Sequence, residues 1–131
     1  MNKRNNFTGV NNRVNARGVA FIKSRKSIDN VKTILNDMDS MANANGISLT
    51  RAYHDASYLL DYDRRELNNF FEMIDSECAQ VVVVRSLNEI TDNVSDLEKF
   101  ILTLAAKGVA VYCIAIGLVP VTISHAEDYG C

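Results

Sequence analysis

The residues best equipped for chemistry fall in three short polar stretches: Lys23–Lys26 (KSRK), Tyr53–Asp63 (YHDASYLLDYD) and Arg85–Asn93 (RSLNEITDN). Each follows a run that reads as a strand, and loops after parallel strands are where α/β domains build their sites. No GxGxxG, GxxxxGK[ST], HExxH or GxSxG motif occurs, so nucleotide, zinc-protease and α/β-hydrolase chemistry lack their usual sequence support. The cysteines Cys78, Cys113 and Cys131 are widely spaced, with no CxxC and no Cys/His cluster. Free thiols are expected, Cys113 in a strand core and Cys131 in the tail, with no bound metal and no cofactor. His54 and His125 have no clustered partners and read as solvated.

Charge is distributed unevenly. The chain has 131 residues and a formal net charge of −2, yet residues 1–26 hold seven of its fourteen basic side chains and none of its sixteen acidic ones. The seven are Lys3, Arg4, Arg13, Arg17, Lys23, Arg25 and Lys26. An Asn-rich basic arm of this kind suits a phosphate backbone, because each neutralised phosphate releases counterions. DNA is therefore an expected partner, and a solvated tail folding back on an acidic body is the competing reading.

The elements that must position these residues are legible from periodicity. Residues 18–23 (GVAFIK) suit a buried first strand. Ser27 can cap a helix whose apolar positions Val31, Ile34, Leu35, Met38, Met41 and Ala42 recur every three or four residues, with Gly46 placed to end it. Residues 47–53 read as a second strand and 54–63 as a polar loop. Leu67, Phe70, Phe71 and Ile74 mark a second helix. The valine run in 80–85 disfavours helix and fits a central strand covered on both faces. Leu97, Phe100, Ile101, Leu104 and Ala105 stripe a third helix closed by Gly108, and 109–114 is the next strand. One short edge strand after Gly117 completes the pattern.

Strand and helix alternate throughout, which predicts a three-layer α/β/α domain around a mostly parallel sheet of four to five strands. The expected organisation is an arm over 1–17, one domain over 18–124 and a tail over 125–131. Composition agrees with a single globular domain: 47% hydrophobic, 23% charged and one proline. The apolar runs 81–84 and 109–117 are far short of the roughly 20 residues a bilayer span needs, so no membrane association is expected. Nothing at the N-terminus resembles a secretion signal, which makes the cytoplasm the expected location.

The order FIKSR, long helix, DxS loop, DRREL, VVVVRSLNEITDN, helix, KGVAVYCI resembles the catalytic domain of the serine recombinases, the resolvase/invertase family. The resemblance runs from about Gly18 to Gly117 and implies a resolvase-like fold. In that family the first strand ends in Tyr-x-Arg-Val-Ser, a loop arginine precedes the second helix, and the third strand leads into Leu-Asp-Arg-Leu-x-Arg. Laid on this chain, these fall on Phe21, Lys23 and Arg25, on Arg64, and on Leu87, Asn88, Glu89, Ile90 and Asp92. The resemblance implies a serine that attacks a DNA phosphodiester while clustered arginines stabilise the charge growing on the phosphate oxygens.

Here Arg25 stands at the serine position, and Glu89 and Asp92 stand where two arginines belong. A like-charge contact at 4 Å is worth about 1 kcal/mol in water and about 4 kcal/mol at an effective dielectric near 20, so each inversion opposes phosphate binding. Ser24 recovers a nucleophile only if the register moves by one, which places Ile22 and Ala20 at the arginine and tyrosine positions. Arg64 keeps the family residue, although a helix-start arginine paired at the surface with Asp61, Asp63 or Glu66 explains it equally. The long helix and DNA-binding domain that follow the last strand in the family are not expected in the residues after Gly117.

The sequence thus predicts a catalytically inactive resolvase-like domain with a vestigial site, acting on DNA through its arm or on a protein partner, either a second copy or a recombinase. Two alternatives stand beside it. One is the catalytic part of a recombination system completed by another chain, with Ser24 and Arg64 operative; the other is an unrelated flavodoxin-like module for a small ligand.

Overall fold

The computed structural model describes residues 15–120. Five strands and three helices alternate along the chain: β1 (Ala16–Lys23), α1 (Ile28–Ala44), β2 (Ile47–Asp55), α2 (Arg65–Ser76), β3 (Val81–Val84), α3 (Val94–Ala106), β4 (Ala110–Cys113) and β5 (Gly117–Leu118). A single 3-10 turn, Leu87–Glu89, lies between β3 and α3. The sheet order is β2-β1-β3-β4-β5, parallel except for β5, which runs antiparallel to β4. The three-layer, mostly parallel architecture expected from the sequence is the one observed.

Side-chain alternation in the strands decides which helix covers which face. Ala20, Ile22, Val81 and Val83 pack with Val31, Met38 and Ala42 of α1. Val19, Phe21, Val82 and Val84 pack on the opposite face with Leu67, Phe70 and Ile74 of α2 and Phe100 and Leu104 of α3. All four valines of β3 are buried, as a strand sandwiched between helix layers must be. The chain moves outward from β1 to β2 and then returns to the far side of β1 with β3. The carboxyl ends of β1 and β3 therefore flank the point where the strand order reverses, the usual place for a ligand crevice in such sheets.

Helix ends follow local chemistry. Ser27 Oγ accepts the Asn30 N–H and Asn93 Oδ1 accepts the Asp96 N–H, so α1 and α3 begin with side-chain caps. Gly46 and Gly108 follow α1 and α3 in the left-handed region that glycine adopts without strain. At the start of α2, Arg64 makes no side-chain cap, because its side chain turns into the protein instead.

Three expectations are corrected. β2 extends two residues further than expected, to Asp55, because Ile22 and Lys23 of β1 keep pairing with His54 and Asp55. β1 begins at Ala16, so Arg17 belongs to the sheet: it is paired with Ser48, and its guanidinium donates to the Cys78 carbonyl at 3.1 and 3.2 Å. His54 is half-buried, with Nε2 2.7 Å from the Ser24 carbonyl oxygen, because the longer β2 carries it beside the end of β1. Cys113 lies in the core as expected, while Lys3, Arg4, Arg13, His125 and Cys131 fall outside the described residues.

Candidate functional site

At the carboxyl ends of β1, β2 and β3 the structure gathers Lys23, Asp55, Arg64, Arg85 and Glu89. Asp55 is the hub. Its Oδ1 accepts from Ser57 N–H at 2.8 Å and Ser57 Oγ–H at 2.7 Å, and its Oδ2 faces Arg64 Nε at 3.0 Å and Lys23 Nζ at 3.4 Å. Burial alone would raise the Asp55 carboxyl above its ordinary range. The two Ser57 hydrogen bonds, followed by the charges of Lys23 and Arg64, outweigh that and hold it below.

Arg64 commits four of its five N–H donors to the fold. Besides Asp55, its Nη1 donates to the carbonyls of Asp61 at 2.8 Å and Ile90 at 2.7 Å, and its Nη2 to that of Glu89 at 3.2 Å. One side chain thereby ties the loop before α2 to the turn after β3. The expectation of a surface ion pair with Asp61, Asp63 or Glu66 is overturned: Arg64 is buried, and its acidic partner is Asp55, nine residues earlier. Its guanidinium also lies 5.9 Å above the ring of Phe21, which stacks with Tyr53 and tilts against Phe70 at 4.9 Å.

Glu89 occupies the other side of the cluster. Its Oε1 accepts the Lys23 main-chain N–H at 2.7 Å, and its Oε2 lies 2.8 Å from Arg85 Nε. That N–H is not directed at the oxygen, so the contact is an ion pair without a hydrogen bond. Arg85 Nη2 donates to the Lys23 carbonyl at 3.0 Å. Lys23 Nζ completes the network by donating to the Ser57 carbonyl at 2.7 Å.

The remaining sequence candidates stay apart. Ser24 Oγ accepts the Lys26 N–H at 3.1 Å, an internal turn contact. Arg25 is exposed and covers the Tyr58 ring at 3.6 Å, and Lys26 is exposed. Asn88 and Asp92 face solvent, Asn88 accepting from Ser86 Oγ at 2.8 Å. Among the described residues no group of three or more His, Cys, Asp or Glu could hold a metal ion, and no helix is long and apolar enough to cross a membrane.

Sequence reasoning missed Asp55 and Arg85. The signal for Asp55 was available in Asp55-Ala-Ser57, since an Asp whose side chain can accept the N–H two residues on is a turn signature, and here it fixes the carboxylate for Arg64. Arg85 had no such signal beyond its place at the end of the valine run.

Comparison with known proteins identifies the family and the fold. Residues 16–127 match the family model described as the N-terminal domain of resolvase. Among solved structures, similarity extends to the N-terminal catalytic domain of TP901-1 integrase, with a TM-score of 0.62 and 15% identity over 86% of this chain and 87% of that one. A resolvase family site-specific recombinase from Streptococcus pneumoniae gives 0.59 and 20%, covering 88% and 85%. The C-terminal catalytic domain of ISC1926 TnpA, an IS607-like serine recombinase, gives 0.63 and 18%, covering 75% and 68%. No curated protein matches.

Proposed function

The chain belongs to the resolvase N-terminal domain family, and we propose that it is a member that binds DNA without cutting it. Family membership removes the unrelated flavodoxin-like module from consideration. The observation that carries the non-catalytic half of the reading is the commitment of Arg64. An arginine that stabilises a phosphate in the transition state must keep donors free to meet it. Here four of the five N–H donors are bound to Asp55 and three carbonyls within the fold, and the side chain is wholly shielded from solvent. Glu89 adds a carboxylate beside Lys23 where the family pattern has an arginine, and the Ser24 hydroxyl accepts the Lys26 N–H within its own turn.

The DNA half rests on Lys3, Arg4 and Arg13, supported by Arg25 and Lys26, which are exposed. Arg17 is set aside, because the Cys78 carbonyl already holds its guanidinium. Free thiols at Cys78 and Cys113 fit a reducing, cytoplasmic setting.

The test is fluorescence anisotropy of a duplex DNA across a salt series, comparing the full chain with a Lys3→Gln/Arg4→Gln/Arg13→Gln variant. If those three contact phosphates, the log–log salt slope falls by up to about 2.7. Equal slopes overturn the role of the three residues. Absence of binding at low salt overturns the DNA reading and points to a protein partner, a second copy or a recombinase.

A further inference from the structure

Glu89 is held by two groups that are general anion binders: the main-chain N–H of Lys23 at 2.7 Å and the Arg85 guanidinium, whose Nε is 2.8 Å from Oε2. Both are fixed before any ligand arrives. The Lys23 N–H ends β1, and Arg85 is anchored through Nη2 to the Lys23 carbonyl. They converge on a carboxylate that is only 13% exposed. A separate observation concerns Arg85 Nε, which is buried and donates no hydrogen bond even with Glu89 beside it. A planar carboxylate tethered through residue 89 meets the Lys23 N–H but leaves the Nε–H unanswered.

We propose that the Glu89 carboxylate is a built-in anion occupying an oxyanion seat formed by the Lys23 N–H and Arg85. It keeps phosphate groups out of that seat in the native chain, and removal of the carboxylate converts the seat into a phosphate-binding site. Asp55 does not substitute for it, because its oxygens are taken up by Ser57, Lys23 Nζ and Arg64. The inference rests on the non-catalytic reading and extends it: the acid at position 89 is a plug that replaces an external anion with an internal one.

Thermal unfolding of the full chain, titrated with inorganic phosphate at constant ionic strength, tests the proposal on Glu89→Ser, Glu89→Ala and Arg85→Gln/Glu89→Ala. Both single variants are expected to show a saturating rise in midpoint, with apparent phosphate affinity about tenfold or more above that of the native chain. The double variant is expected to lose the response. Should Glu89→Ala fail to fold, Glu89→Ser carries the test, since its short side chain also leaves the Lys23 N–H and the seat open. The dinucleotide dTpT, run beside inorganic phosphate, separates a phosphodiester from a free phosphate; a response to either supports the seat. No gain over the native chain in either single variant, or a gain that survives loss of Arg85, overturns it. The non-catalytic reading is tested by whether the native chain forms a covalent adduct with nicked duplex DNA, so the two readings fail separately.

Discussion

Arg64 Nε lies 3.0 Å from Asp55 Oδ2, with both side chains wholly shielded from solvent. The pair joins the end of β2 to the start of α2, and the remaining Arg64 donors reach the carbonyls of Glu89 and Ile90 after β3. Desolvating two charges is expensive, and here the hydrogen bonds to Ser57 and to three carbonyls offset part of the cost by satisfying Asp55 Oδ1 and three of the four other Arg64 donors. The contact ties two strand ends to the start of α2.

Breaking that pair from one side should be severe. Arg64→Met leaves Asp55 buried without its main cationic neighbour and is expected to cost roughly 3–5 kcal/mol in urea unfolding. Arg64→Lys should recover only part of the loss, because an ammonium cannot fork across a carboxylate and three carbonyls. In a double-mutant cycle, Asp55→Asn and Arg64→Met should be strongly non-additive, and additivity would show that the two side chains act independently.

Acid should unlock the same cluster. The Asp55 carboxyl titrates below its ordinary value of 3.8 in the folded chain, so in acid the unfolded chain takes up this proton first. The stability it contributes is therefore complete above that value and is lost as pH falls through the lower folded one. Urea midpoints measured from neutral pH downward should drop more steeply for the native chain than for Asp55→Asn once pH is below about 3.8. Parallel profiles would assign the acid sensitivity to other groups.

Gly18 should not tolerate a side chain. A Cβ there would lie 2.6 Å from Ile47 Cγ2 and 3.2 Å from Leu49 Cδ2, and the Ile47 methyl is a branched, buried group with little room to move. Gly18→Ala is expected to destabilise by about 1–3 kcal/mol, as overpacking does. The readout is the chemical-denaturation midpoint, and an unchanged midpoint would mean that β1 and β2 can separate freely at this point.

Ser24 should prove dispensable. Its hydroxyl accepts one exposed N–H, so Ser24→Ala is expected to shift stability by less than about 1 kcal/mol and to leave DNA binding intact. Incubation of the native chain with nicked duplex DNA, followed by denaturing electrophoresis, should give no covalent protein–DNA adduct. An adduct that vanishes in Ser24→Ala would overturn the non-catalytic reading.

Much of this protein is written in local pattern. Apolar residues at three- and four-residue spacing gave α1, α2 and α3; a short apolar run gave β1 and β-branched runs gave β3 and β4; and Ser27 and Gly46 marked the limits of α1 where the structure has them. Those signals survive in one dimension because a helix face or a buried strand is built from residues close together in the chain. The two-residue error at β2 has the same origin: His54 and Asp55 look like loop, and only pairing with β1 makes them strand.

The chemistry of the site was a different matter. Composition and family pattern identified Lys23, Arg64 and Glu89 and the inverted charge at position 89, but not what those side chains would touch. Lys23 and Glu89 are 66 residues apart, and their contact exists because β1 and β3 are neighbours in the sheet. Arg64 chose Asp55 over the nearer Asp61 and Asp63 because Asp55 is the carboxylate that the end of β2 carries into the interior, where an unpaired charge could not remain. The sequence by itself determined the elements, their order and the charge carried to each strand end. Which charges meet, and which are buried, was decided by strand order and burial, since these alone set the distances and the solvent exclusion on which ion pairing depends.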